Sequence, residues 1–307
     1  MNARALKDAL ASRTMLLLCM SVLSMAFLMG FGLLWRSWPI LATHDLGKLL
    51  LSAEWQPAKG NFGLGAFLAG TLWVTAIAMV LAVPLSILTA IYLDEYAPKR
   101  LRVVARPVVD VLAGISPVVY GVWGILAIVP LVRDTLMPFF QDHFAFFPFK
   151  SENYTGFSAL SGGIVLAVMI APLIIAITQE VIRTVPIEVR EASLAVGATR
   201  WETVKHAVLR KARMGIVAAV ILGLSRAFGE TIAVLMVSGC AMHAFPASIF
   251  DPAYPLPALI ANTYGEMMSV PMYDAAVLLA AFLLFAVTTF FNMAGWSILL
   301  RMERSES

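Results

Sequence analysis

The chain has 307 residues, of which 60% are hydrophobic and only 13% are charged, and its net charge is +3. Soluble globular proteins are about 25% charged, so these few charges cannot cover a water-facing surface of this size. The composition therefore excludes an ordinary soluble enzyme, a disordered chain and a nucleic-acid-binding module, which needs clustered basic residues.

Six apolar stretches are long enough to cross a bilayer, because a spanning helix needs about 20 mainly apolar residues. They predict an all-α polytopic membrane protein with one transmembrane domain over residues 15–300, an N-terminal segment 1–14 and a tail 301–307. In chain order the predicted spans are 15–35, 67–93, 111–132, 159–179, 215–237 and 275–300. The first apolar run exceeds the roughly 7–15 residues of a signal-peptide core, so we expect a retained helix.

The orientation follows from Lys and Arg residues, which concentrate on the cytoplasmic side of a membrane protein. With the N-terminus inside, 16 of the 22 positive residues fall in predicted cytoplasmic segments and only five fall outside. We therefore expect both termini in the cytoplasm. The third external connection, 238–274, contains an apolar run from Leu256 to Ala261 that predicts a short re-entrant or interfacial helix.

The connection around residues 187–210 carries the start and stop signals of two helices. Pro186 suits a helix start, and Gly197 supplies the left-handed residue that commonly ends a helix. Thr199 and Glu202 form a Thr-x-x-Glu capping box that opens the second helix. These signals predict a compact helix-turn-helix outside the membrane. The seven positive residues of segment 183–213 are explained by topology alone, but the folded hairpin with small residues at its corner indicates a docking surface.

Two runs of sequence resemble a known family. Residues 191–199 read Glu-Ala-Ser-Leu-Ala-Val-Gly-Ala-Thr, which resembles the EAA loop of ABC-transporter permeases, with Ser193 where Ala is commoner. Residues 223–236 read Gly-Leu-Ser-Arg-Ala-Phe-Gly-Glu-Thr-Ile-Ala-Val-Leu-Met and resemble the phosphate-transport (Pst) branch of that family, in its PstC-type subunit. The resemblance implies a type I ABC importer permease fold with six transmembrane helices in a bacterial plasma (inner) membrane.

The resemblance also implies the partners. These are a second, PstA-like permease, a dimer of PstB-like ATP-binding subunits that uses ATP and Mg, and an external PstS-like phosphate-binding protein. The ATP-binding subunits would dock on the 187–210 loop through Glu191, Ala192, Gly197, Ala198 and Thr199. The chain itself contains no Walker-type phosphate loop, and its four histidines are too scattered for a metal site. We therefore expect a non-catalytic subunit that binds no cofactor and no metal.

Two charges lie inside the fifth predicted span. Arg226 and Glu230 are four residues apart, which places them on one face of a continuous helix, and a charge at the bilayer centre costs at least about 2.5–3.5 kcal/mol. The planar guanidinium of Arg226 can donate hydrogen bonds to two oxygens of one phosphate. We expect Arg226 and Glu230 to line the substrate path as a pair, with Thr231 and Ser225 as hydroxyl donors. The alternative is a purely structural ion pair.

Other functions remain open at this stage. The chain could be a permease for another oxyanion, such as sulfate or molybdate, because a guanidinium reads charge and shape more than the central atom. A secondary transporter that needs no ATPase predicts internal repeats with broken helices, which the sequence does not show. A membrane-anchored scaffold or sensor leaves Arg226 and Glu230 without a role.

Overall fold

The computed structural model describes residues 3–143, 146–242, 245–266 and 269–304. These ranges do not include the ends of the two predicted terminal segments, 1–14 and 301–307. They also do not include His243. The helices are α1 (Ala3–Thr43), α2 (Leu46–Leu51), α3 (Gly65–Ile91), α4 (Lys99–Gly114), α5 (Pro117–Trp123), α6 (Val129–Leu131), α7 (Met137–His143), α8 (Ala159–Thr184), α9 (Ile187–Ala195), α10 (Arg200–Glu202), α11 (Leu209–Phe228), α12 (Ile232–Val237), α13 (Leu256–Thr263) and α14 (Tyr273–Arg304). Strands β1 (Trp55–Gln56) and β2 (Asn61–Phe62) form a small antiparallel hairpin.

Several helices continue as π-helical segments without interruption. These segments are Tyr92–Tyr96 after α3, Gly124–Ile128 and Val132–Leu136 between α5 and α7, and Thr203–Val208 between α10 and α11. Because backbone groups in a bilayer must be bonded within the protein, only helices or closed barrels cross it. The predicted all-α membrane fold is confirmed by this architecture.

Within the described ranges, five helical segments are long and apolar enough to cross a membrane. They are Leu10–Thr43, Gly65–Tyr96, Pro117–His143, Ala159–Thr184 and Tyr273–Arg301. They correspond to the first, second, third, fourth and sixth predicted spans. The fifth predicted span is divided between α11 and α12, so it does not form one long helix.

The third predicted span, 111–132, is misplaced by the hydropathy pattern. Helix α4 ends at Gly114, and Ile115 and Ser116 adopt extended backbone with ψ of 136° and 139°. Pro117 disfavours the helical conformation in the residue before it and suits the first turn of a new helix. The helix that can cross a membrane therefore begins at Pro117 and ends at His143.

The fifth predicted span, 215–237, is broken rather than continuous. Helix α11 ends at Phe228 and α12 begins at Ile232, with Gly229 and Thr231 in the connection between them. Glycine is a poor helix former, and the φ of Thr231, −113°, lies far from the roughly −63° of a regular α-helix. An average over 20 apolar residues cannot detect a break of three residues.

The centre of the fold is the contact between α3 and α8. Gly163 of α8 lies against Ile77 of α3, and Val165, Leu166 and Ile170 are buried beside them. Small residues allow two membrane helices to approach closely. In contrast, every residue of α1 from Leu10 to Met29 is exposed, as expected for a helix that faces lipid.

The predicted helix in the last long connection is confirmed as α13. Its residues Leu256 and Leu259 are buried, and the Leu256 backbone N–H donates to the Thr71 hydroxyl of α3 at 2.9 Å. Tyr254, just before the helix, packs on the Phe67 ring with their centroids 5.2 Å apart. The connection before α14 therefore folds back onto α3.

We predict that Gly163→Ala loosens the α3–α8 contact. A Cβ atom at Gly163 would lie 2.4 Å from the Ile77 Cγ2 atom, whereas one at Gly32 of α1 would meet nothing within 4 Å. Overpacking costs about 1–3 kcal/mol, so the thermal unfolding midpoint of the detergent-solubilised protein falls in Gly163→Ala. The matched control is Gly32→Ala, which leaves the midpoint unchanged or raises it. Equal midpoints in the two variants would contradict the packing argument.

Candidate functional site

Arg226 lies in the last turn of α11 and is exposed. Among the residues that the structure describes, no ion pair joins it to Glu230 or to another carboxylate. The predicted common helix face is wrong, because α11 ends at Phe228 and Glu230 lies beyond its end. The break separates the two charges, and the pair does not form in this conformation.

Glu230 is half-buried and lines a small, partly open cavity. Thr71 and Thr75 of α3 and Pro255 and Pro257 near the start of α13 line the same cavity. The Glu230 Oε1 atom accepts a hydrogen bond from the Ala233 backbone N–H at 3.3 Å. The carboxylate therefore satisfies one of the N–H groups that a new helix leaves without an intrahelical partner.

We predict that the cap at Glu230 contributes to stability independently of its charge. Glu230→Gln keeps an oxygen that accepts from the Ala233 N–H, and Glu230→Ala removes it. Loss of a capping acceptor costs about 1 kcal/mol, so Glu230→Ala lowers the thermal unfolding midpoint by a few degrees and Glu230→Gln keeps it close to the parent value. If both variants unfold at the parent midpoint, the cap has no stabilising role.

The two predicted hydroxyl donors are already engaged within the chain. The Ser225 hydroxyl lies 2.9 Å from the Ile221 carbonyl oxygen and contacts the side-chain amide of Asn292 in α14. The Thr231 hydroxyl donates to the Gly229 carbonyl at 3.4 Å. Asn292 was not among the predicted site residues, although an amide in the apolar sixth span was a signal for it.

Tyr120 of α5 also belongs to the surroundings of Arg226. The Arg226 guanidinium is close enough to Tyr120 to interact with it electrostatically. The Tyr120 hydroxyl donates to the Leu112 carbonyl in the last turn of α4 at 2.8 Å. Helix α12 packs on α5, where Gly121 faces Met236. Arg226 therefore lies near two helix breaks, the one between α4 and α5 and the one between α11 and α12. The sequence pattern did not reveal that these two breaks lie close together.

The predicted helix-turn-helix is confirmed as a local structure. Helix α9 ends before Gly197, which has a left-handed φ of +90°, and the capping box of Thr199 and Glu202 opens α10. The Thr199 N–H and hydroxyl both donate to the Glu202 carboxylate, which lowers the pKa of that group. The second helix differs from the prediction in one respect. It runs through Thr203–Val208 directly into α11 and is therefore continuous with the helix that carries Arg226.

We call the helix-turn-helix, residues 187–208, the hairpin. The corner between its two helices is exposed. Of the predicted docking residues, Glu191, Ala192, Gly197 and Thr199 are exposed and Ala198 is half-buried. Apolar side chains are exposed beside them, namely Leu194, Val196 and Trp201, with Val196 84% exposed. The Ser193 hydroxyl lies 3.0 Å from that of Thr203 and joins the two arms of the hairpin.

A model of the family described as "Binding-protein-dependent transport system inner membrane component" matches residues 82–295. A Xylella fastidiosa protein named "Phosphate transport system permease protein PstC" is 35% identical over 313 residues, which cover 99% of this chain and 95% of the relative. A Mycobacterium tuberculosis protein named "Phosphate transport system permease protein PstC 2" is 38% identical over 240 residues, 77% of this chain and 74% of the relative.

Solved structures share the fold at lower sequence identity. A chain of the MetNI methionine ABC transporter in an inward-facing conformation superimposes with a TM-score of 0.51 at 22% identity, over 78% of this chain and 94% of that one. A bacterial ABC transporter that imports alginate gives a TM-score of 0.58 at 14% identity, over 97% and 99%. The family match, the relatives and the shared fold agree. The chain belongs to the inner membrane components of binding-protein-dependent transport systems, among the permeases related to PstC.

Proposed function

We propose that this chain is a permease subunit of an ATP-driven importer and that it translocates inorganic phosphate by alternating access. Its relatives are named phosphate transport system permeases, and one observation in the chain itself carries the substrate assignment. Arg226 is an exposed guanidinium in a broken membrane segment, and it has no carboxylate partner among the described residues. A buried anion path needs such a donor, because its planar fork binds two oxygens of one anion.

The exposure of Arg226 also supports a second permease subunit. A charge that faced lipid would be costly, so intramembrane charges face protein or water. Leu222, one turn earlier on α11, is 51% exposed, and Trp123 of α5 is 41% exposed. A PstA-like partner against this face would shield Arg226 from lipid and form the phosphate path between the two subunits. In this arrangement Arg226 provides the contact to the anion, while Ser225 and Thr231 hold the local backbone and Asn292.

The hairpin fits the role of a docking site for ATP-binding subunits. Its corner exposes apolar side chains next to Gly197, and its second arm is continuous with α11. A dimer of PstB-like subunits, using ATP and Mg, would move this hairpin and thereby α11. A PstS-like protein would deliver phosphate on the opposite side. This proposal places the chain in a bacterial plasma membrane with both termini in the cytoplasm, as a non-catalytic subunit.

Radiolabelled phosphate uptake tests the proposed function. Cells that lack their own phosphate importer receive this chain together with its second permease, ATP-binding subunits and binding protein. We expect uptake that depends on this chain and that unlabelled phosphate, but not sulfate or molybdate, reduces. Uptake of labelled sulfate or molybdate in place of phosphate would overturn the substrate assignment. Phosphate uptake by liposomes that contain the purified chain alone would instead indicate a secondary transporter.

A further inference from the structure

The π-helical segment Tyr92–Tyr96 after α3 binds charged residues from four other elements. Its first residues lie at the end of the second predicted span, 67–93, and no motif in the sequence indicates a role for it. The segment contains two acidic residues, Asp94 and Glu95, followed by an aromatic ring. We call residues 94–96 the clasp. Its contacts link the hairpin to the helices that cross the membrane.

The first contact joins the clasp to the end of α8. The Arg183 Nε and Nη2 atoms lie 2.8 Å and 2.6 Å from the Asp94 Oδ1 atom. The Asp94 side chain is only 3% exposed. Charge-assisted hydrogen bonds of this kind are short and about twice as strong as neutral ones. The carboxylate is therefore firmly held by the helix that precedes the hairpin.

The second contact joins the clasp to α9, the first arm of the hairpin. Arg190 Nε and Nη2 lie 3.2 Å and 2.9 Å from the Glu95 Oε1 atom. The same guanidinium donates to the carbonyl oxygens of Val185 at 2.6 Å and Ile182 at 3.0 Å. Both side chains of the pair are less than one-fifth exposed, so solvent screens the pair only weakly.

Two further arginines bind the clasp from other directions. Arg200, at the start of α10, contacts the Glu95 carbonyl oxygen and lies 4.8 Å from the centroid of the Tyr96 ring, which is cation–π geometry. Arg102 of α4 donates to the carbonyl oxygens of Leu93 and Asp94. Both arms of the hairpin are thus tied to the residues between α3 and α4.

The apolar contacts beneath the clasp add to this connection. Ile91 at the end of α3 belongs to a buried cluster with Ile182, Val185, Val204 and Val208. Helix α9 itself has no buried residue. The first arm contacts the second arm through Ser193 and Thr203, and it is attached to the end of α3 through Arg190 and the edge of this cluster.

We propose that the clasp couples movement of the hairpin to α3 and α4, with Glu95 and Asp94 as positioning residues. The proposal rests on the proposed ATP-driven function and extends it. A hairpin that moved only α11 would leave α3 and α4 behind. The Glu95–Arg190 contact makes α9 and the end of α3 move together. Loss of this contact weakens the connection, so that less of the movement driven by ATP hydrolysis reaches these helices.

A double-mutant cycle on the complete transporter tests the clasp. Glu95→Ala, Arg190→Ala and the double variant are each assembled with their partner subunits in liposomes, and phosphate uptake and ATP hydrolysis are measured together. We expect each single variant to lower the uptake per ATP hydrolysed at least fivefold, with ATP hydrolysis within twofold of the parent. The uptake per ATP hydrolysed should fall no further in the double variant than in Arg190→Ala alone, because both substitutions remove the same contact. Independent, multiplying losses, or a parallel fall in uptake and hydrolysis, would overturn the coupling role.

The control is the exposed ion pair of Arg133 and Asp134, whose side chains are 50% and 58% exposed. Its double alanine variant should keep the parent ratio of uptake to hydrolysis. Amide hydrogen exchange of α9 gives a readout that requires no substrate. Exchange should rise in Glu95→Ala and stay at the parent level in the control. Unchanged exchange in Glu95→Ala overturns the clasp even if the proposed substrate is wrong, and absent uptake by the parent complex overturns the proposed function alone.

Discussion

Replacing Arg226 with alanine is expected to lower phosphate uptake at least tenfold at unchanged abundance of the protein in the membrane. A hydrogen bond to a charged group contributes about 1.5–3 kcal/mol to the interaction free energy. A loss of about 1.4 kcal/mol lowers a binding constant tenfold. Folding should not suffer, because the exposed guanidinium makes no ion pair within the described ranges. Phosphate uptake is measured with radiolabelled phosphate, and the abundance of the protein is measured by quantitative immunoblotting of membranes.

Two further variants separate charge from geometry at Arg226. Arg226→Lys keeps the positive charge but loses the planar fork, so its uptake should lie between those of the parent and Arg226→Ala. Lys211→Ala is the matched control, because it removes one exposed positive charge from the same helix nearer its start. Parent-level uptake in Arg226→Ala would remove Arg226 from the path.

Gly197→Asp is expected to abolish phosphate uptake while the protein still inserts into the membrane. Gly197 has a left-handed φ of +90°, and nothing lies within 4 Å of the position that a Cβ would occupy. Aspartate tolerates this backbone conformation better than most residues, so the hairpin should keep its shape. The new carboxylate would instead enter the surface on which the ATP-binding subunits dock. Co-purification of those subunits should be lost together with uptake.

The chain offers a close control for Gly197. Gly60, between β1 and β2, also has a left-handed φ, +76°, and open space around its Cβ position. Gly60→Asp therefore introduces the same side chain with the same backbone demand outside the hairpin, and it should leave co-purification of the ATP-binding subunits unchanged. If those subunits co-purify with Gly197→Asp and uptake persists, the docking assignment is wrong.

The break in the fifth span bears on the secondary-transporter alternative. No internal repeat with broken helices is evident in the sequence, and this absence argues against a secondary transporter. The structure contains one broken span, between Phe228 and Ile232, so a broken helix by itself does not separate the two classes of transporter. The family match over residues 82–295 now provides the reason for placing the chain among binding-protein-dependent systems.

Local signals in the sequence determined much of this protein. The long apolar runs predicted a helical membrane fold, because lipid leaves the backbone few other ways to satisfy its polar groups. Gly197 and the capping box of Thr199 and Glu202 predicted the hairpin, since these signals act within one or two helical turns. Arg226 was identified as a candidate because a charge in an apolar span is costly and therefore rare.

The contacts between the spans, the hairpin and the charged residues are seen only in the tertiary structure. The break after Phe228 separates Glu230 from Arg226, and the Glu230 carboxylate instead accepts a hydrogen bond from the Ala233 N–H at the start of α12. The contact of Glu95 with Arg190 joins residues 95 positions apart. Hydropathy sums the properties of neighbours in sequence. Helix breaks and long-range ion pairs instead depend on one or two backbone angles and on partners that only the folded chain brings within bonding distance.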